Sequence, residues 1–144
     1  MSTKIELAKQ YRERGYGCAQ TVLATFAQDH GLSEEVALRI STGFGSGMGR
    51  MCEVCGALTG AFMVIGLRYG KVVTDETSKE TTYRLVADLA RKFEEKNGLI
   101  YCRVLIGHDL SDPEERAKVA QMGLSATICG KLILDSVKLL EEML

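Results

Sequence analysis

The chain has 144 residues, 46% of them hydrophobic and 26% charged, with a formal net charge of -1. That is one domain's worth of chain with enough apolar residues for a single core. The balance excludes a disordered acidic tail and the basic surface of a nucleic-acid binder, so no nucleic-acid partner is expected. Five cysteines in a chain of this size are too few for a disulfide scaffold and odd in number, which leaves core residues, metal ligands or redox thiols.

The N-terminus mixes Lys4, Glu6, Lys9, Arg12 and Glu13 among apolar residues and so lacks the apolar stretch of a signal peptide. The longest uncharged apolar run, 54–67, has 14 residues, short of the roughly 20 that cross a bilayer. No membrane insertion is expected, and a reducing cytoplasm is the expected compartment.

Taken in chain order, helical periodicity dominates. Leu7, Ala8 and Tyr11 share one side of an opening helix that stops near Gly15. Cys18, Ala19, Val22, Leu23, Phe26 and Ala27 form the apolar stripe of a second helix, ended by Gly31. Ser33 followed by Glu34 and Glu35 starts a third helix, with Val36, Ala37 and Ile40 as its apolar positions.

Between 43 and 70 the composition shifts, and eight of the 15 glycines lie there. Glycine alternating with other residues at 43–50 reads as a loop, because that pattern is costly inside a helix. An apolar helix over about 52–69 should follow, stopped by Gly70 and buried in the protein. Thr74 or Asp75 caps a long helix to about Lys96, closed by Asn97-Gly98, whose buried face is Tyr83, Val86, Leu89, Ala90 and Phe93. Residues 101–106 make one or two helical turns. Asp112-Pro113-Glu114-Glu115 is a strong helix start. A last amphipathic helix runs from about Ile128, with Leu132, Val137, Leu140 and Leu144 apolar. No segment alternates with period two. The expectation is a single all-α domain over 1–144, a compact bundle of six or seven helices around a central, buried Gly/Ala-rich helix.

The glycine loop does not read as a nucleotide site. A dinucleotide fingerprint starting at Gly45 or Gly43 meets Arg50 or Met48 where a small residue is required, and no strand precedes it. Gly45, Gly47, Gly49 and Arg50 do offer a cofactor a close backbone approach at a helix entrance. The free N–H groups there favour negative charge, thiolate included. Cys52 and Cys55 fall in the first turns of the expected helix with Arg50 upstream, a setting that lowers a thiol pKa. Cys52-Glu53-Val54-Cys55 has the spacing of a thiol–disulfide motif without the βαβ context of thioredoxin-like proteins. Gly56 and Gly60, with Ala57 and Ala61 beside them, clear one helical face for close packing against another helix, or for a flat ligand.

Cys18, Cys102 and Cys129 each stand at or near a helix start among apolar residues, where plain core packing is the commoner role. His30 stands at a helix end and His108-Asp109 in a loop. The acidic pairs 34–35, 94–95 and 114–115 suit solvated helix surfaces and N-terminal charges.

Gly-Phe-Gly-Ser-Gly-Met-Gly-Arg at 43–50 followed by Cys-Gly-Ala-Leu-Thr-Gly at 55–60 resembles the C_GCAxxG_C_C family of redox-active proteins. Cys18-Ala19-Gln20, Cys102-Arg103 and Cys129 follow the same order, so the likeness spans nearly the whole chain. The resemblance implies that Cys18, Cys55, Cys102 and Cys129 act as a set and that Cys52 is an extra. It implies redox involvement with an unidentified redox partner and keeps an iron–sulfur reading open.

Three functions compete. In the first, the four cysteines cycle between dithiol and disulfide, with Cys55 as the lead thiol. In the second, Cys18, Cys55, Cys102 and Cys129 bind zinc or an iron–sulfur cluster. In the third, the chain is a non-catalytic helical assembly module with cysteines filling its core. A homo-oligomer is compatible with all three, through the Gly56/Gly60 face or the C-terminal helix.

Overall fold

The computed structural model describes residues 2–144 and is all-α, with 76% of the chain helical. Nine helices lie among the described residues. Two short pieces, a four-residue α4 and a five-residue α7, account for the excess over the expected number.

Local chemistry sets most boundaries. Helix α1 (Thr3–Glu13) begins where the Ser2 hydroxyl accepts from Ile5 N, and it buries Ile5, Ala8 and Tyr11. Helix α2 (Cys18–Ala27) is capped from within: Gln20 Oε1 accepts from Gly17 N at 3.0 Å. The same amide donates to Leu38 O and Thr42 Oγ1, tying the start of α2 to the end of α3 (Glu34–Ile40). Ser33 caps α3 as expected, but only Ala37 is buried there, and Val36 and Ile40 face outward. Asp75 caps the long α6 (Glu76–Asn97), which buries Leu89 and Phe93 and leaves Tyr83 exposed. Asp112 caps α8 (Pro113–Met122) with Pro113 at its first turn.

Helix α5 (Gly56–Tyr69) is the centre of the bundle, packed on α2, α6 and α9 (Gly130–Met143). Its glycines face α2. A Cβ on Gly60 would stand 2.7 Å from Ala19 O, and one on Gly56 would stand 3.0 Å from Cys18 Cβ. This face is therefore filled by α2 and offers nothing to a second copy of the chain. Leu23, Leu58, Ile65, Leu89, Phe93, Ile133 and Val137 close the core around it.

Three features depart from the sequence reading. Helix α5 starts at Gly56, four residues later than expected, because Cys52 has left-handed backbone (φ 58°) and 53–55 then runs beside residues 100–103. Val54 bridges Tyr101 there, Cys55 N donates to Ile100 O (2.8 Å) and Cys102 N donates to Glu53 O (2.7 Å). The 43–50 segment is not an open loop. After a 3-10 turn (Thr42–Phe44) comes α4 (Gly45–Met48), and Ser46, Gly47, Met48, Gly49 and Arg50 all have left-handed backbone, with φ between 55° and 68°. Finally, a π-helical turn (Ser125–Cys129) leads without a break into α9, so Cys129 lies within a helical run and not at its start.

Candidate functional site

The Cys52–Cys55 segment, the N-terminal ends of α2, α5 and α7 (Cys102–Ile106) and the π turn meet at one end of the bundle. They enclose a cavity of about 310 Å³ that reaches Cys18, Cys55, Cys102 and Cys129. All five cysteines are free thiols.

The five thiols are arranged as two pairs with Cys55 close to both. Cys18, first residue of α2, stands over Gly56, where the missing side chain makes room for it. Its thiol interacts with that of Cys129. That contact keeps the proton on Cys18, whose pKa is pushed up by Cys129 and by burial. The interaction with Cys18, helped by the Arg12 guanidinium, brings Cys129 down to about 7 against the opposing effect of burial. Of the pair, Cys129 is the thiol that ionises first.

Cys52 and Cys102 form the second pair, brought side by side by the backbone bridge. They share a small apolar cluster with Ile106, Leu110 and Val119, and Cys52 O accepts from Arg103 N at 3.3 Å. Cys52 Sγ accepts from Leu110 N at 3.1 Å. Burial and the neighbouring sulfurs, Cys52 foremost, push the Cys102 thiol up.

Cys55 is the N-cap residue of α5. The nearby Ala57 and Leu58 N–H groups favour the thiolate, yet burial outweighs them and the pKa rises to about 11. The low-pKa thiol expected at this helix start is thus found on Cys129 instead. The electrostatic partner differs as well: Arg12, not Arg50, stabilises it. Arg12 donates to Ser125 O and Ser125 Oγ, both at 3.0 Å, and to Tyr16 O at 3.0 Å, and so ties α1 to the π turn.

Of the glycine-loop positions, Gly47 and Arg50 line the cavity, whereas Gly45 and Gly49 do not. Gly47 has a specific reason to be glycine. A Cβ there would stand 2.6 Å from both Cys52 Cα and Glu53 N. The sequence reading missed Arg12, Arg116 and Ser125, which also line the cavity. One sign was present for Arg12: no acidic residue lies at helical spacing to pair with it.

Among the described residues, no group of three or more His, Cys, Asp or Glu side chains is gathered so that it could hold a metal ion. No helix among the described residues is long and apolar enough to cross a membrane.

No curated protein and no solved structure matches the chain significantly. Residues 16–143 match the family model described as "Putative redox-active protein (C_GCAxxG_C_C)". The match covers nearly the whole chain and every one of its cysteines, and the chain belongs to that family.

Proposed function

We propose that the protein carries out thiol–disulfide exchange at Cys18 and Cys129, with Cys129 as the attacking thiolate and Cys18 as the resolving thiol. One feature supports this above the others: Cys18 and Cys129 line one cavity as interacting thiols, and that interaction lowers the Cys129 pKa to about 7. Thiolate attack on a disulfide is fastest for a thiol whose pKa lies near the ambient pH. The resolving thiol keeps its proton until the mixed disulfide has formed, which separates the two steps. Cys55 and Cys102 line the same cavity as protonated, buried neighbours.

The test is direct. The reduced protein is treated with a small organic disulfide, quenched with an alkylating agent, and mapped by peptide mass spectrometry. A Cys18–Cys129 disulfide is expected, with Cys18→Ser trapping the mixed disulfide on Cys129 and Cys129→Ser blocking reaction. A disulfide that forms only between other cysteines, or none at all, overturns the proposal.

A further inference from the structure

Three arginines, Arg12, Arg50 and Arg116, come from three separate parts of the chain to line the cavity that holds the thiol pair, and no Asp or Glu lines it. Among the described residues none of the three takes part in an ion pair, although Arg14, Arg39 and Arg91 elsewhere each do. Arg12 is held by neutral oxygens of Tyr16 and Ser125, and Arg116 by Leu110 O at 3.2 Å. Arg12 faces the Cys129 sulfur, but Arg50 and Arg116 meet no carboxylate in this concavity, and such a field concentrates anions. Guanidinium also matches carboxylate geometry better than any other side chain does.

The other walls are apolar: Leu105, Ile106, Leu110, Val119 and Leu132. A bare oxyanion would make no use of them and would fill little of about 310 Å³. A ligand with a short hydrocarbon stem fits both kinds of lining.

We infer that the substrate of the Cys18–Cys129 pair is a small organic disulfide bearing carboxylate groups, held by Arg50 and Arg116 while the thiolate attacks. The inference rests on the thiol–disulfide reading above. The Cys129 sulfur bonds to one substrate sulfur, the substrate S–S bond breaks, and half of the substrate leaves as a thiolate. Cys18 then gives up its proton and attacks the Cys129 sulfur, which expels the second half. The substrate gains two electrons and leaves as two thiols, one proton coming from Cys18 and one from solvent, while Cys18 and Cys129 become a disulfide. An external dithiol reductant returns them to the thiol state.

The test compares three disulfides of similar size on the reduced full chain: 3,3′-dithiodipropionate (dianion), bis(2-hydroxyethyl) disulfide (neutral) and cystamine (dication). Each rate is divided by that of the same disulfide with a free small thiol. The dianion is expected to react about tenfold or more faster than the neutral compound, with the dication slowest. Added salt should narrow that spread. Arg50→Gln and Arg116→Gln, checked for helicity by circular dichroism, should each narrow the gap between dianion and dication. Normalised rates that are equal or reversed in order overturn the charge inference and leave thiol–disulfide exchange standing. If none of the three oxidises the pair, the exchange reading itself fails, and this inference with it.

Discussion

Cβ of Cys18 lies 3.0 Å from where a side chain on Gly56 would begin, so the glycine of the family motif is the space the cysteine occupies. One turn further along α5, Gly60 does the same for the backbone of Ala19, at 2.7 Å. Gly66 of the same helix faces open space. The three positions therefore separate. Gly60→Ala pushes on backbone that cannot yield and should cost about 1–3 kcal/mol, read from denaturant unfolding. Gly66→Ala should stabilise by about 0.5–1 kcal/mol, because it only removes glycine's excess freedom in a helix. Gly56→Ala should displace Cys18, which would appear as a higher pKa at Cys129 as well as lower stability.

The Cys129 thiolate sets a pH dependence of definite sign. Its pKa falls from 9.0 to about 7 on folding. The stability it contributes is fully present above pH 9 and is lost as the pH falls through 7. Cys55 has the opposite sign. Its pKa rises to about 11, so stability declines as the pH climbs above 9 and the unfolded chain ionises there. The difference in urea midpoint between wild type and Cys129→Ser should thus be larger at pH 8.5 than at pH 6.5. Alkylation of the native protein should label Cys129 first, with a rate rising through about pH 7. Cys52, Cys55 and Cys102 are buried and should label only after unfolding.

Arg12 contributes to that low pKa across the full length of the fold, since it and Ser125 are 113 residues apart in sequence. Arg12→Gln keeps a hydrogen-bond donor toward the Ser125 oxygens and removes the charge. The Cys129 pKa should rise by about one unit, measured as the midpoint of the alkylation rate against pH, and Arg12→Lys should recover part of the shift. An unchanged midpoint would assign the low pKa to the interaction with Cys18 alone.

What the sequence makes legible here is local. Ser33, Asp75 and Asp112 cap helices because a side-chain oxygen two or three residues before a free N–H needs nothing else. The Gly56/Gly60 spacing shows a cleared face for the same kind of reason. The site is legible only as a set of cysteines, through the family likeness. Its pairing depends on tertiary contacts: a bridge between Val54 and Tyr101 places Cys52 beside Cys102. The π turn before Cys129 depends on Arg12 and on packing, and no local residue pattern encodes it. Nor does glycine alternation announce a left-handed run that also includes Ser46, Met48 and Arg50, side chains for which that conformation costs roughly 1–2 kcal/mol each.

Cys52 stands apart from the exchange chemistry and has its own role in the fold. Its sulfur accepts the buried N–H of Leu110 at 3.1 Å, and Leu110 is one wall of the cavity. Removing the sulfur leaves that N–H without an acceptor, a loss of about 1–3 kcal/mol. Cys52→Ala should therefore lower stability by that amount and speed hydrogen exchange at the Leu110 amide, while the Cys18–Cys129 disulfide still forms. Cys52→Ser, which supplies an oxygen acceptor, should recover part of the protection. If Cys52→Ala instead left the Leu110 amide protected and abolished the disulfide, Cys52 would be a participant in electron transfer and not a support for the cavity wall.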